Sequence, residues 1–403
     1  MSEKKSKPLI VVVDPGFSAL KISVNKHKCS IPSDVIDMTK NMEEYKEFSS
    51  FDSTMVLSEC IEGRKFVVGE QTRKIRKSEK YQAEFDLKKS AMESEARFDT
   101  DDFEAQMLTA LAYGIINYSQ EKDVNINVSD LSDYDIFVGI PLPHAYYESA
   151  FDKVKRIIEG SHEFDITIGD TKHHIKFTIG KDRTVCLSQT MCLLLSESLD
   201  DEGNMIPSRK HYYDDLPALI LDGGYGTFGI VEIAEGYRID RDKQESNTTY
   251  AMRNVNEIVA ERINEKTKGN PEIKEYNLED IYKSDKSVIR YLDKSGNEEV
   301  LNTVDANIIR AEVIDEISEK LIEHICKNHG NLLHIEQIII GGGTGYAYAE
   351  KIKEFAENKR GLRKVHLTDN TLDGKPIEPV YAVAAGMYKY AAGAVKRLGN
   401  DAV

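Results

Sequence analysis

The chain contains no tryptophan, and its 403 residues include only five cysteines. The cysteines, at 29, 60, 186, 192 and 326, form no Cys-x-x-Cys pair and are odd in number. That argues against a disulfide framework or a zinc site and points to a reduced, cytoplasmic protein. Positive charge is also scarce: 53 Lys and Arg stand against 69 Asp and Glu, a formal charge of −16. Gripping nucleic acid or docking on an anionic membrane needs clustered Lys and Arg, so neither is expected as a direct partner. Long hydrophobic runs are missing too. The uncharged stretch 184–196 is too short to span a bilayer and is interrupted by Ser188, Gln189 and Thr190. The first seven residues are polar and lead into a strand-like run, so no signal peptide is expected. No Gly-x-x-x-x-Gly-Lys-[Ser/Thr] occurs, which excludes a P-loop protein. With 40% hydrophobic and 30% charged residues the chain reads as globular, and its length allows two or three domains of roughly 150 residues.

What the sequence does have is an internal repeat. Leu9-Ile-Val-Val-Val-Asp14-Pro-Gly16-Phe-Ser-Ala-Leu-Lys21-Ile near the start matches Leu219-Ile-Leu-Asp222-Gly-Gly224-Tyr-Gly-Thr-Phe-Gly229-Ile far downstream. Placing Asp14 on Asp222, an offset of 208 (222 − 14), superposes Gly16 on Gly224, Phe17 on Tyr225 and Ile22 on Ile230. Each copy reads as a buried strand, an acid, a Gly-containing turn and a returning strand. One such hairpin could arise by chance, since Asp and Gly both favour tight turns. Two copies half a chain apart favour duplication.

Gly224-Tyr-Gly226-Thr-Phe-Gly229 also satisfies Gly-x-Gly-x-x-Gly literally. The dinucleotide turn requires a helix next, whereas Ile230-Val-Glu-Ile233 reads as a strand, so a metal-bridged phosphate turn fits better.

Around the hairpins, helical spacing predicts helices at 102–119, 146–159 and 184–197, with a strand at 134–140. Residues 199–216 read as a polar loop and candidate boundary. Helices follow at 248–268 and 308–327, then a strand at 335–340, Gly341-Gly-Gly343-Thr-Gly345, a helix from about Tyr348, and a terminal helix from Tyr381. This order gives an α/β protein of two related lobes. The first lobe spans 1–200 with a small insertion at about 30–100, and the second spans 217–380 with one at about 250–310. The helix 381–403 returns towards the first lobe. His173 and His174 are adjacent and cannot chelate together in a strand. His324, His329 and His334 lack metal-ligand spacing, and surface positions are expected for all of these histidines.

The chemistry centres on the two turns. Asp14 and Asp222 could hold a hydrated Mg²⁺, which keeps most of its waters and needs few protein ligands. Glycines at 16, 224 and 226 let backbone N–H groups approach phosphate oxygens. Lys21 returns on the second strand and could neutralise the β- and γ-phosphates, or be an ordinary solvated lysine. Gly341, Gly342 and Gly343 exceed what a tight strand-to-helix turn needs, which favours a base or α-phosphate lying against bare backbone.

These residues resemble the phosphate and adenosine motifs of the actin-like (Hsp70/actin/sugar-kinase) fold. Asp14 to Lys21 is similar to the first phosphate motif, Asp222 to Thr227 to the second, and Ile338 to Thr344 to the adenosine motif. Val138-Gly-Ile-Pro-Leu-Pro143 and Ala382-Val-Ala-Ala-Gly386-Met-Tyr388 are similar to the connecting segments. The chain most resembles the ParM-type plasmid-segregation actins of Gram-positive bacteria. The resemblance implies two lobes around a nucleotide cleft and an ATPase, with GTP as a second candidate, that polymerises with Mg²⁺. It also implies a ParR-like DNA-binding adaptor linking filament ends to a plasmid centromere. By the same resemblance, Asp14 and Asp222 would position the metal. Gly16, Phe17, Ser18, Lys21, Gly223, Gly224, Tyr225, Gly226 and Thr227 would hold phosphates, and Gly341, Gly342, Gly343 and Thr344 the adenosine. Gln189 would orient the attacking water, although ParM-type proteins often have Glu there. A small-molecule kinase or a non-polymerising cell-division or pilus-assembly scaffold on the same fold are the alternatives.

Overall fold

Residues Leu9 to Val13 are consecutive apolar side chains, all buried, as expected of a strand covered on both faces. They lie in β1 (Lys7–Pro15), which turns back into β2 (Ala19–Val24) and then β3 (His27–Pro32). Asn25 and Lys26, between β2 and β3, both have positive φ, as a two-residue hairpin turn requires. The structure, a computed structural model, describes residues 7–40, 55–69, 72, 75, 95–121, 124–209, 217–236, 238–283, 287–293, 300–359, 364–368 and 371–400. The chain divides into two units, Met1–Lys210 with Asp369–Val403, and His211–Thr368.

In the first unit β4 (Val35–Asp37), β5 (Val56–Ser58) and β6 (Phe66–Val68) come from the expected insertion at 30–100, much of which lies outside the described residues. Helix α1 (Asp101–Ser119) starts at Thr100, whose side chain accepts from the Phe103 amide, with Asp101, Asp102 and Glu104 in its first turn. Then come β7 (Tyr134–Leu142), α2 (Tyr147–Ile158), β8 (Gly160–Ile168), β9 (Thr171–Ile179), β10 (Thr184–Ser188) and α3 (Gln189–Ser198). The main sheet has the order β10-β7-β1-β2-β3, and a second sheet the order β4-β6-β5-β8-β9.

The helix expected at 184–197 is therefore shorter at its start. Thr184-Val-Cys-Leu-Ser188 alternates buried and half-buried residues and pairs parallel with β7. Only at Ser188, whose hydroxyl caps the Met191 amide, does the helix begin.

The second unit contains β11 (Ala218–Gly223), β12 (Phe228–Ala234), β13 (Arg238–Asn247), α4 (Met252–Thr267), α5 (Glu275–Lys283), β14 (Val288–Asp293) and β15 (Val300–Asp305). It ends with α6 (Ala306–Asn328), β16 (Gln337–Gly341), α7 (Gly342–Glu354) and β17 (Lys364–Leu367). Its sheet order is β13-β12-β11-β16-β17. Both sheets thus have a central strand with an antiparallel hairpin partner on one side and parallel strands on the other. The hairpin registers also coincide at the same offset. Asp14 faces Lys21 and Asp222 faces Gly229; Val13 faces Ile22 and Leu221 faces Ile230.

Two expectations need correcting here. The helix after β16 starts at Gly342 rather than near Tyr348. Its early start is explained by close backbone contact. A Cβ on Gly223 would lie 2.0 Å from the Gly345 nitrogen, and one on Gly342 2.3 Å from the Gly223 carbonyl oxygen. His329 is not a surface histidine. It is fully buried, with Nδ1 3.0 Å from Glu232 Oε2. Glu232 also accepts from Lys243 at 2.7 Å and contacts His334 at 2.8 Å. These interactions outweigh its burial and hold its carboxyl down to about 2.

The chain then returns to the first unit through β18 (Thr371–Leu372) and β19 (Lys375–Pro376), and ends in α8 (Ala382–Asn400). Helix α8 packs against α3, β1 and β7. The contact with α3 is direct: a Cβ on Gly386 would lie 1.7 Å from the Cys192 carbonyl oxygen.

Candidate functional site

In the first unit three predicted residues meet on one carboxylate. Asp14, 2% exposed at the end of β1, receives Lys21 Nζ on Oδ2 at 3.3 Å and Gln189 Nε2 on Oδ1 at 2.9 Å. Register explains the lysine, because Asp14 and Lys21 are opposite one another in the hairpin. Helix start explains the glutamine, because Gln189 is the first residue of α3. The Gln189 orientation follows from chemistry: a carboxylate only accepts, so the amide nitrogen faces Asp14 and the amide oxygen stays free to accept elsewhere.

The turn itself is tight. The Gly16 amide donates to the Asp14 carbonyl at 2.9 Å, and the Ser33 hydroxyl donates to the Gly16 carbonyl at 2.5 Å. A Cβ on Gly16 would lie 2.7 Å from Lys21 Nζ, so the missing side chain is what admits the ammonium group. Phe17 lies under the guanidinium of Arg97, 4.9 Å from its ring centre. Ser18 accepts the Ser33 amide on its carbonyl at 3.2 Å.

Asp222, Gly223, Gly224, Tyr225, Gly226 and Thr227 lie in the second unit, at the equivalent turn. Asp222 is 9% exposed, and a Cβ on Gly342 would lie 3.1 Å from its Oδ1. The carboxylate is thereby placed beside the first residue of α7, where the helix dipole favours an anion. The Gly224 amide donates to the Thr227 carbonyl at 2.9 Å. The Gly224 carbonyl accepts the Thr344 hydroxyl at 2.7 Å, just as Gly16 accepts that of Ser33. The Arg253 amide, at the start of α4, donates to the Tyr225 carbonyl at 2.9 Å, and Tyr225 Oη contacts Glu275 at 3.1 Å. Because β12 rather than a helix follows Gly226, the Gly-x-Gly-x-x-Gly run is not a dinucleotide turn.

Gly341 is the N-cap of α7 without a side-chain cap bond; Gly342 has φ +72°, and Gly343 is exposed in the first turn. The glycine run therefore serves two demands, close packing on β11 and an uncovered helix start.

Sequence reading missed Arg97. It lies outside any periodic segment, and Glu95-Ala-Arg97-Phe-Asp99 carries no motif. It is 3% exposed, donates from Nη2 to the Pro15 carbonyl at 2.7 Å, and sits in the field of Asp14. Among the described residues no three His, Cys, Asp or Glu side chains gather to cage a metal. A divalent ion at either turn would thus keep its waters and lean on one carboxylate, as Mg²⁺ does. No helix among the described residues is long and apolar enough to cross a membrane.

No protein-family model matches the chain, and neither does any curated protein sequence. Solved structures do match over nearly its full length. A 15-stranded ParM filament from Clostridium botulinum is 14% identical, with TM-score 0.64, over 96% of this chain and 99% of that one. The actin-like protein Alp7A is 14% identical, with TM-score 0.65, over 97% and 98%. The archaeal actin homologue Ta0583, in complex with ADP, is 12% identical, with TM-score 0.60, over 96% and 99%. With the sheet order repeated in both units and both hairpins in the same register, the chain has the actin-like fold of the ParM-type proteins.

Proposed function

We propose that the chain is a filament-forming nucleoside triphosphatase that works with Mg²⁺ and drives plasmid DNA segregation through a separate adaptor. ATP is the proposed substrate, with GTP as the second candidate. The observation that carries this reading is the meeting of Lys21 and Gln189 on the buried carboxylate of Asp14.

The residues fit such a ligand. Asp14 accepts from two side chains, while a carboxylate offers about four lone-pair sites, so it can also accept from a metal-bound water. Lys21, 20% exposed and admitted by Gly16, would supply positive charge to a phosphate at this turn. When bound, a divalent metal would supply charge neutralisation for the phosphates. Gln189, held by its amide nitrogen, presents its amide oxygen to a water, and phosphoryl transfer needs mainly this kind of positioning. In the second unit, Asp222 would offer a buried carboxylate to a hydrated metal ion. Gly223 to Thr227 face phosphate, and the glycine start of α7 receives the adenosine end.

Self-assembly is supported by the filament formed by the fold neighbour from Clostridium botulinum, and nucleotide binding by the ADP complex of Ta0583. The charge of −16 supports leaving DNA contact to a basic, ParR-like adaptor.

The test combines light scattering, electron microscopy and phosphate release with ATP and Mg²⁺ at micromolar protein. Filaments with phosphate release are expected, and Asp222→Ala should abolish Mg²⁺-dependent nucleotide binding. Flat scattering together with phosphorylation of a small molecule would replace this reading by the kinase one. Unchanged binding and turnover in Asp222→Ala would remove the proposed site.

A further inference from the structure

We propose that Arg97 is a positioning residue for the Asp14 turn, its buried guanidinium fixing the turn backbone on both sides of Gly16. The inference deepens the nucleotide reading and rests on it.

Arg97 lies in the short turn Glu95–Asp99 and is almost wholly buried. Its guanidinium packs against three rings, with centres 4.9 Å away at Phe17, 5.0 Å at Phe98 and 5.2 Å at Phe103. Nη2 donates to the Pro15 carbonyl at 2.7 Å, while the buried Nε has no acceptor among the described residues. Burial pushes the guanidinium down to about 10, with the charge of Asp14 acting in the opposite direction.

A cation this deep, with a donor left unsatisfied, is costly, and an unbranched apolar side chain would fill the same space more cheaply. What only the arginine supplies is a grip on both sides of Gly16. It bonds the carbonyl of Pro15 before the glycine and stacks on Phe17 after it. Glycine is the residue with the most backbone freedom, so a turn built on it needs such a grip. The second hairpin meets the same need differently. There the position equivalent to Pro15 is Gly223, pinned by backbone contact with Gly345. The two turns share a register but are immobilised by unlike means, a buried cation in one and a helix start in the other.

The test uses the full chain with Arg97→Met, which removes the charge, and Arg97→Lys, which keeps it with a single donor centre. Two quantities are read: the Mg²⁺ concentration for half-maximal ATP hydrolysis, and amide hydrogen exchange of the 14–18 turn without nucleotide. Arg97→Met should speed exchange in the turn, leaving β8 and β9 unchanged, and, because Asp14 is then held less firmly, raise the Mg²⁺ half-point about tenfold. Arg97→Lys should recover most of the Mg²⁺ dependence. Folded variants with wild-type values of both quantities would overturn the proposal. Where Arg97→Met fails to fold, Arg97→Lys decides: a lower melting temperature with unchanged Mg²⁺ half-point and turn exchange makes Arg97 packing alone. Asp14→Asn is measured in parallel. Wild-type turnover in that variant sinks the nucleotide reading itself, whereas the exchange result still reports on Arg97.

Discussion

Gln189, half-buried, and Glu232, buried, make two polar contacts that the fold uses for different ends. Gln189 touches Asp14 at 2.9 Å with its donor and leaves its acceptor available, so its removal should affect turnover more than binding. Gln189→Ala is expected to lower kcat about 100-fold with nucleotide affinity nearly unchanged, the size of loss found when one positioned hydrogen-bonding group is removed. Single-turnover kinetics with a separate binding titration checks this; equal losses in both would make Gln189 a binding residue. Glu232 concerns stability. Its folded pKa, about 2, lies below the ordinary 4.5, so its contribution is present above about pH 4.5 and lost as pH falls towards 2. Glu232→Gln should cost about 1–2 kcal/mol near neutrality, because it removes the charge that Lys243, His329 and His334 all meet. Urea melts of both proteins between pH 7 and pH 2 should show the difference shrinking on the acid side. A difference independent of pH would mean that shape, not charge, is lost.

At the scale of elements, the parts legible in the sequence are those fixed by neighbouring residues. The hairpins at 9–24 and 219–233 were readable because an unbroken apolar run, an acid and a glycine turn all occur within a few positions. The N-terminal acids of α1 marked its start for the same reason. Contacts between distant segments left no local mark. Arg97 reaches Pro15 across 82 positions, and Gly386 meets Cys192 across nearly two hundred, so neither role could be read from spacing. Thr184 to Ser188 became strand because β7 offers it a partner, overriding a helical pattern. The glycine run after β16 was read through a ligand alone, whereas contact with Gly223 makes an equal demand on it. These contacts yield graded predictions. Gly386→Ala puts a Cβ 1.7 Å from a backbone oxygen, so α8 and α3 must separate; a loss of about 3 kcal/mol or more is expected, with turnover falling because Gln189 moves with α3. Gly342→Ala adds a positive φ to a backbone clash at 2.3 Å and should be comparably severe. Gly345→Ala crowds the Ile340 side chain at 3.1 Å, with the backbone atoms of Gly223 and Leu221 at ordinary contact distances of 3.6 and 3.8 Å, and should cost about 1 kcal/mol. Thermal melts rank the three, and a Gly345→Ala penalty as large as that of Gly342→Ala would refute the backbone-contact account.

For the whole molecule, charge sets the conditions under which copies can associate. Each copy carries −16, so bringing copies together concentrates like charge, a cost that falls as salt shortens the Debye length. That length is about 30 Å at 0.01 M and about 8 Å at 0.15 M, so repulsion between surfaces several residues apart is largely removed over this range. The protein concentration needed for ATP-dependent light scattering should therefore fall as salt rises from about 0.01 to about 0.15 M. Binding to DNA runs the other way, since salt weakens contacts between basic side chains and phosphates. If the chain relies on a basic adaptor, adaptor-bound DNA should recruit it more weakly over the same range in which it self-assembles more readily. Scattering and DNA pull-down measured on the same salt series separate the two. An assembly threshold that rises with salt would mean that opposite charges, not apolar contacts, join the copies. Direct retention of DNA by the chain alone at about 0.15 M salt would show a basic surface strong enough to overcome its net charge, and the division of labour with an adaptor would then be wrong.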